Sequence, residues 1–132
     1  MEVKELRVGN FVKLFLGIGD SGAAYRNFEI KGIMEQLGSE FYLINNTWVE
    51  VTNNLEPIPL TEEILLKCGF RNKGGVFKHP DCDIIQIYAH EGKFNIFVKG
   101  NKQNGSNVLG SNLHELQNLF KVLTRKELQI EL

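Results

Sequence analysis

Between Pro57 and Phe70 the chain reads Pro-Ile-Pro-Leu-Thr-Glu-Glu-Ile-Leu-Leu-Lys-Cys-Gly-Phe, a helix with both of its ends written in. Thr61 is an N-cap, because its hydroxyl can accept from a free N–H of the first turn. Leu60 and Leu65 are spaced to close a hydrophobic staple across that cap. Glu62 and Glu63 fall at the positive end of the helix dipole and Lys67 at the negative end. Gly69 can take the left-handed conformation that closes a helix, with Phe70 folding back onto the last turn. The chain changes character across this helix. Short strands and turns precede it, and strands alternating with helix follow. The division predicts a small β-barrel-like half over 1–58 and an α+β half over 59–132, the two forming one compact unit.

A chain of 132 residues with 42% hydrophobic side chains can bury a real core, which excludes global disorder. Its net charge of −1 sets up no overall field towards nucleic acid or membrane. The charge is uneven along the chain: residues 1–66 carry 5 basic and 10 acidic side chains, whereas 67–102 carry 7 basic and 3 acidic. Two cysteines, Cys68 and Cys82, are too few for a disulfide scaffold. No apolar run has signal-peptide or membrane-helix length, so a cytoplasmic protein without a membrane partner is expected.

In the first half, Phe11 to Leu16 reads as a strand, and Phe28 to Ile33 alternates as a half-buried one does. Phe41–Ile44 and Trp48–Val51 flank Asn45-Asn46-Thr47 as a hairpin. Short strands joined by Gly and Asn turns predict an SH3-like barrel or a curled antiparallel sheet. In the second half, Val76-Phe77 begins a strand, and Asp83–Tyr88 pairs with Phe94–Val98. The polar loop Lys99–Asn107 follows, with Val108-Leu109 as a short strand after it. Asn112 and Glu115 resemble a capping box. Leu113, Leu116, Leu119, Phe120 and Leu123 form the apolar stripe of a second helix. Leu128, Ile130 and Leu132 alternate with polar residues and predict a last strand, with a helix continuing to Leu132 as the alternative. The fold class is therefore α+β: strands, then helix, β-hairpin, helix and strand.

Several constellations carry a suggestion of chemistry. Gly17-Ile18-Gly19-Asp20-Ser21-Gly22 matches G-x-G-x-x-G after a strand. However, Ala23 to Phe28 runs into another strand and not into the helix that would hold a pyrophosphate, so a hairpin loop is expected. His79-Pro80-Asp81-Cys82-Asp83, with His90 nearby, has the vocabulary of a metal site but no second ligand pair. It reads better as a turn entering a strand. Cys82 with His79 or His90 lacks a third orienting group, so no nucleophile is assigned. His114 in the first turn of the second helix reads as a surface histidine. Arg71, Lys73, Lys78, Lys93, Lys99 and Lys102, with Tyr88 among them, suit a nucleic acid, since cations neutralise phosphates and aromatics stack on bases.

Three stretches carry a resemblance: Glu5-Leu6-Arg7-Val8-Gly9-Asn10, Leu55 to Phe70, and Leu113-His114-Glu115-Leu116-Gln117-Asn118-Leu119-Phe120 with Leu123-Thr124-x-Lys126-Glu127-Leu128. They resemble a family of small uncharacterised proteins of phages and prophages of gut Bacteroidetes-type bacteria. The family pattern often has Gly where this chain has Arg125. The resemblance implies a phage accessory protein inside a bacterial host and carries no catalytic motif. The expectation is a binding protein and not an enzyme, with no cofactor and no metal. Its leading form is a counter-defence protein, a homo-oligomer that sequesters a nucleotide-type host signal through Tyr25, Arg26, Trp48, Arg71, Lys73 and Lys99. The alternatives are a nucleic-acid-binding module, and an adaptor or inhibitor of a host protein using Trp48.

Overall fold

The computed structural model describes residues 6–19, 22–44, 47–50, 55–99 and 108–130. Antiparallel sheets dominate it, accompanied by two helices, which is an α+β arrangement among the described residues. The chain divides into two compact units, Met1–Ile58 and Pro59–Leu132.

The first unit contains β1 (Phe11–Gly19), β2 (Gly22–Glu29), β3 (Gly32–Gln36), β4 (Ser39–Ile44), β5 (Thr47–Glu50) and β6 (Leu55–Glu56). They form two open three-stranded sheets, ordered β2-β1-β6 and β3-β4-β5, with no closed barrel among the described residues. β1 and β2 pair as far as Gly19 opposite Gly22, so the glycine-rich stretch is mostly ladder. Gly22 opens a strand and no helix starts there, which removes the geometry a dinucleotide loop requires. The expected strand from Phe28 to Ile33 is split. Ile30 is fully buried, and its N–H donates to the Asn10 carbonyl while the next residue, Lys31, donates to Leu43. The chain therefore changes sheets at this point. Ile44 pairs with Thr47, which fits the expected hairpin, although Asn45 and Asn46 lie outside the described residues. The core of this unit gathers Leu6, Val12, Ile30, Tyr42, Ile44 and Leu55. Burial and the neighbouring Glu40 carboxylate push the Tyr42 hydroxyl up to about 12.

The second unit opens with α1 (Glu62–Lys67). Thr61 Oγ1 accepts from the Ile64 N–H at 3.2 Å, and Leu60 and Leu65 are both buried. At the other end Gly69 has φ +91°. Its N–H donates to Leu66 and that of Phe70 to Leu65, the paired bonds of a Schellman closure. Next come β7 (Arg71–Lys73), β8 (Val76–His79), β9 (Cys82–His90) and β10 (Lys93–Val98). They form a four-stranded antiparallel meander, ordered β10-β9-β8-β7, larger than the expected hairpin. Leu109 and Gly110 bond to Ile96 at the edge of β10 as an isolated bridge.

The last helix, α2 (Leu113–Thr124), packs against β9 and buries Leu113, Leu116 and Phe120. Glu115 Oε1 accepts from the backbone N–H of Asn112 at 3.1 Å and of Ser111 at 3.2 Å. The helix stops at Arg125, which adopts φ +63° and donates its N–H to Lys121. Residues 127–130 are neither strand nor helix, so the predicted last strand is not formed over its described part; Glu131 and Leu132 lie outside it. No helix among the described residues is long and apolar enough to cross a membrane.

Candidate functional site

The two faces of the four-stranded sheet are chemically unlike. Directly opposed residues in an antiparallel ladder point to the same side, so the register assigns each side chain to a face. Phe77, Ile87 and Ile96 lie on one face with Ile85, and all four are buried. The other face begins with the row Lys73, Val76, Tyr88 and Asn95, one residue from each strand from β7 to β10. Beside it lie Arg71 with Lys78, Gln86 with Phe97, and His90 with Lys93.

At the centre of this second face the Tyr88 and Phe97 rings meet edge to face, with centroids 5.7 Å apart and an interplanar angle of 78°. Tyr88 is 38% exposed and Ile84, two positions along the same face from Gln86, is 37% exposed. The Tyr88 hydroxyl donates to Gln86 Oε1 at 3.1 Å, which holds both side chains along the strand. Arg71 and Lys73 on β7, Lys78 on β8 and Lys93 on β10 share this face. No ion pair joins these four cations to a carboxylate among the described residues. Asp83 is the one acidic residue within the four strands; it is exposed and adjoins Ile84 at an irregularity of the β8–β9 ladder, where Cys82 pairs with the inward-facing His79. One carboxylate therefore stands at the end of this face, and Glu91 lies in the β9–β10 turn. A centre of two rings and two carboxamides with basic residues on the same face can stack planar groups and contact phosphates at the same time.

The six residues expected to bind ligand are only partly brought together. Arg71 and Lys73 stand on this face. Lys99 follows β10, exposed, with its N–H donating to Ile84. Tyr25, Arg26 and Trp48 belong to the first unit. Arg26 is exposed on β2, and the Tyr25 side chain falls outside what the structure describes. Trp48 is half-exposed on β5 and lies over Gly32, where an added Cβ would come within 3.2 Å of the indole. Lys102 and the rest of 100–107 lie outside the described residues. Phe97, Gln86 and Asn95 were not expected at a site. Their signal was the alternation of β9 and β10, which becomes specific only once the register is known.

His79, His114 and both cysteines are buried or partly buried, whereas His90 is exposed. The Pro80-Asp81 turn joins β8 to β9, as expected. His79 Nδ1 accepts from the Asp81 backbone N–H at 3.0 Å, and the ring sits edge-on between Phe70 and Phe120, with centroids at 5.1 and 4.8 Å. Burial holds its pKa below the usual histidine value, opposed by the Asp81 charge and the Cys68 carbonyl. A cleft of about 500 Å³ opens beside it, lined by Lys67, Asp81, Lys126, Glu127 and Gln129 among others. Cys68 at its floor is buried, and burial pushes the thiol up to about 12, so it carries no thiolate at neutral pH. Cys82 is also buried. His114 is 1% exposed, a correction to the surface position expected for it, because α2 turns its first-turn Leu113 and His114 inward together. Comparison with protein-family models, with curated proteins and with solved structures found no match for this chain.

Proposed function

We propose that the chain is a non-catalytic nucleic-acid-binding module whose working surface is the exposed face of the β7–β10 sheet, and that its ligand is a single strand. The observation that carries this reading is the Tyr88–Phe97 pair on a sheet face that also carries Arg71, Lys73, Lys78 and Lys93. Bases would stack on the rings, and the cations would neutralise phosphates on either side. A duplex offers no exposed base faces to such a surface. The high Cys68 pKa and the occupied His79 Nδ1 support binding without chemistry. In the phage or prophage setting that the resemblance implies, the module would act on nucleic acid inside the bacterial host.

Fluorescence anisotropy with labelled 12-residue oligo-dT and oligo-U tests the reading. Binding should weaken with salt, with a slope of about −3 in log K against log salt if four phosphates are contacted. Absence of binding to either strand at 50 mM salt would remove it. A second reading, capture of a nucleotide-type host signal, draws on the same ring pair and cations. An open face buries less of a small ligand than a cavity does, so this reading expects weaker binding and a shared, oligomeric site. Thermal-shift screening with cyclic nucleotides separates the two: stabilisation by them and not by oligonucleotides would favour the small ligand.

A further inference from the structure

The centre of the exposed face has a chequered arrangement. Phe97 stands directly opposite Gln86, and Asn95 directly opposite Tyr88, so two rings occupy one diagonal and two carboxamides the other. Rings alone give binding with little dependence on base identity, because every base has a π-face. Carboxamides are different. They present hydrogen-bond donors and acceptors beside those rings, in reach of the edge of a stacked base.

The Gln86 carboxamide is also oriented. Its Oε1 accepts from the Tyr88 hydroxyl at 3.1 Å, which leaves the NH2 group, with its two donors, as the free end. A group that offers only donors gains a bond from a carbonyl oxygen. Where a base carries an exocyclic amine in that place, two donors face each other and the bond is lost. Uracil and thymine offer O4 where cytosine carries N4–H2, and guanine offers O6 where adenine carries N6–H2.

We infer that Gln86 is a specificity-determining residue of this face, donating to the carbonyl oxygen of a keto base stacked on Phe97, with Tyr88 as the residue that orients it. The inference rests on the single-strand reading above and assigns its base preference. The shared chemistry is the keto pyrimidine edge, which both RNA and DNA supply.

The experiment is anisotropy on the full chain with the 8-residue strands U8, C8, dT8 and dC8, which separate the RNA and DNA sources. Uracil and cytosine differ only around the edge that Gln86 would read, so their stacking is closely matched. The wild type should prefer U8 over C8 and dT8 over dC8 by about fivefold, the size of one net hydrogen bond. Gln86→Glu keeps the shape but replaces the donors by acceptors. Its total affinity should fall with the added negative charge, while its U8 to C8 ratio inverts. Tyr88→Phe keeps the ring and removes the orienting hydroxyl. Its ratio should drop towards one while U8 affinity stays within about threefold, an effect that a purely structural role for Tyr88 would not produce. Equal wild-type binding of U8 and C8, or an unchanged ratio in Gln86→Glu, overturns the inference and leaves the single-strand reading standing. No binding of any of the four strands overturns both.

Discussion

The two faces of the β7–β10 sheet are made from the same four strands and the same alternation, yet they put their apolar residues to different uses. On one side Ile85, Ile87 and Ile96 are fully buried, on the sheet that α2 packs against. On the other, Ile84, Tyr88 and Phe97 retain contact with solvent among lysines and an arginine. A residue's hydrophobicity therefore does not decide its role here. Its parity along the strand does, because a shift of one position exchanges core for surface. The buried face sets stability and tolerates little change. The exposed face, with its side chains in contact with solvent, is expected to contribute less to stability.

The largest expected effect tests that separation directly. Ile87→Ala or Phe120→Ala empties volume in a packed core and should cost about 2–5 kcal/mol of unfolding free energy. Tyr88→Ala, one residue from Ile87, should change the urea midpoint little and lower oligo-dT or oligo-U affinity by roughly 1–3 kcal/mol, the value of one stacked base. Urea unfolding and anisotropy on the same samples check both. The comparison breaks if Tyr88→Ala unfolds the protein as readily as Ile87→Ala does.

Gly110 joins the edge of β10 to the start of α2 and comes next in size. It has φ +154°, and an added Cβ would lie 2.6 Å from the Glu115 carboxyl carbon. Gly110→Ala should displace the carboxylate that caps Ser111 and Asn112, and should cost about 1–3 kcal/mol. A thermal midpoint equal to wild type would show that the cap is dispensable to the buried side of the sheet.

The pH dependence sharpens the comparison at His79, on the buried side. Its pKa in the folded protein lies below the ordinary value of 6.5, so the unfolded chain takes up its proton first. The His79 contribution is therefore fully present above about pH 6.5 and is lost as pH falls below it. Protonation would also oppose the Asp81 N–H that points at Nδ1. NMR titration of the imidazole, with urea midpoints between pH 7.5 and 5, reads both effects. Titration of His79 at or above the ordinary value would show that Phe70 and Phe120 do not shield it.

What the residues revealed before the structure follows the range of each interaction. The ends of α1 were legible because Thr61, Gly69 and Phe70 act within a few residues of one another. The β9–β10 hairpin and the stripe of α2 were legible for the same reason. The break at Ile30 was not, because it depends on Asn10 and Leu43, partners distant in sequence. The candidate site was half legible. Arg71, Lys73 and Tyr88 stood out by charge and ring, but Phe97 and Gln86 could be assigned to a face only by the β9–β10 register. Ile84 and Ile85 are adjacent and alike, so no local pattern says which of them is core. Trp48 and Arg26 drew attention as side chains, and the fold places them in the other unit.

The smallest effect concerns the end of α2. Arg125 adopts φ +63° to close the helix, a conformation that costs a side-chain-bearing residue about 1–2 kcal/mol. The closure is over-determined by its neighbours. Arg125 N–H donates to Lys121 at 2.8 Å, Thr124 Oγ1 donates to Phe120 at 2.7 Å, and the Lys126 N–H donates to Thr124 Oγ1 at 3.1 Å. Those bonds do not involve the Arg125 side chain. Arg125→Gly should therefore keep the stop and relieve the backbone, raising stability by up to about 1 kcal/mol. A rise in thermal midpoint with unchanged oligonucleotide affinity would place this strain wholly on the core side of the sheet. A change in affinity would mean that the end of α2 acts on the exposed face, and the separation of the two faces would no longer hold.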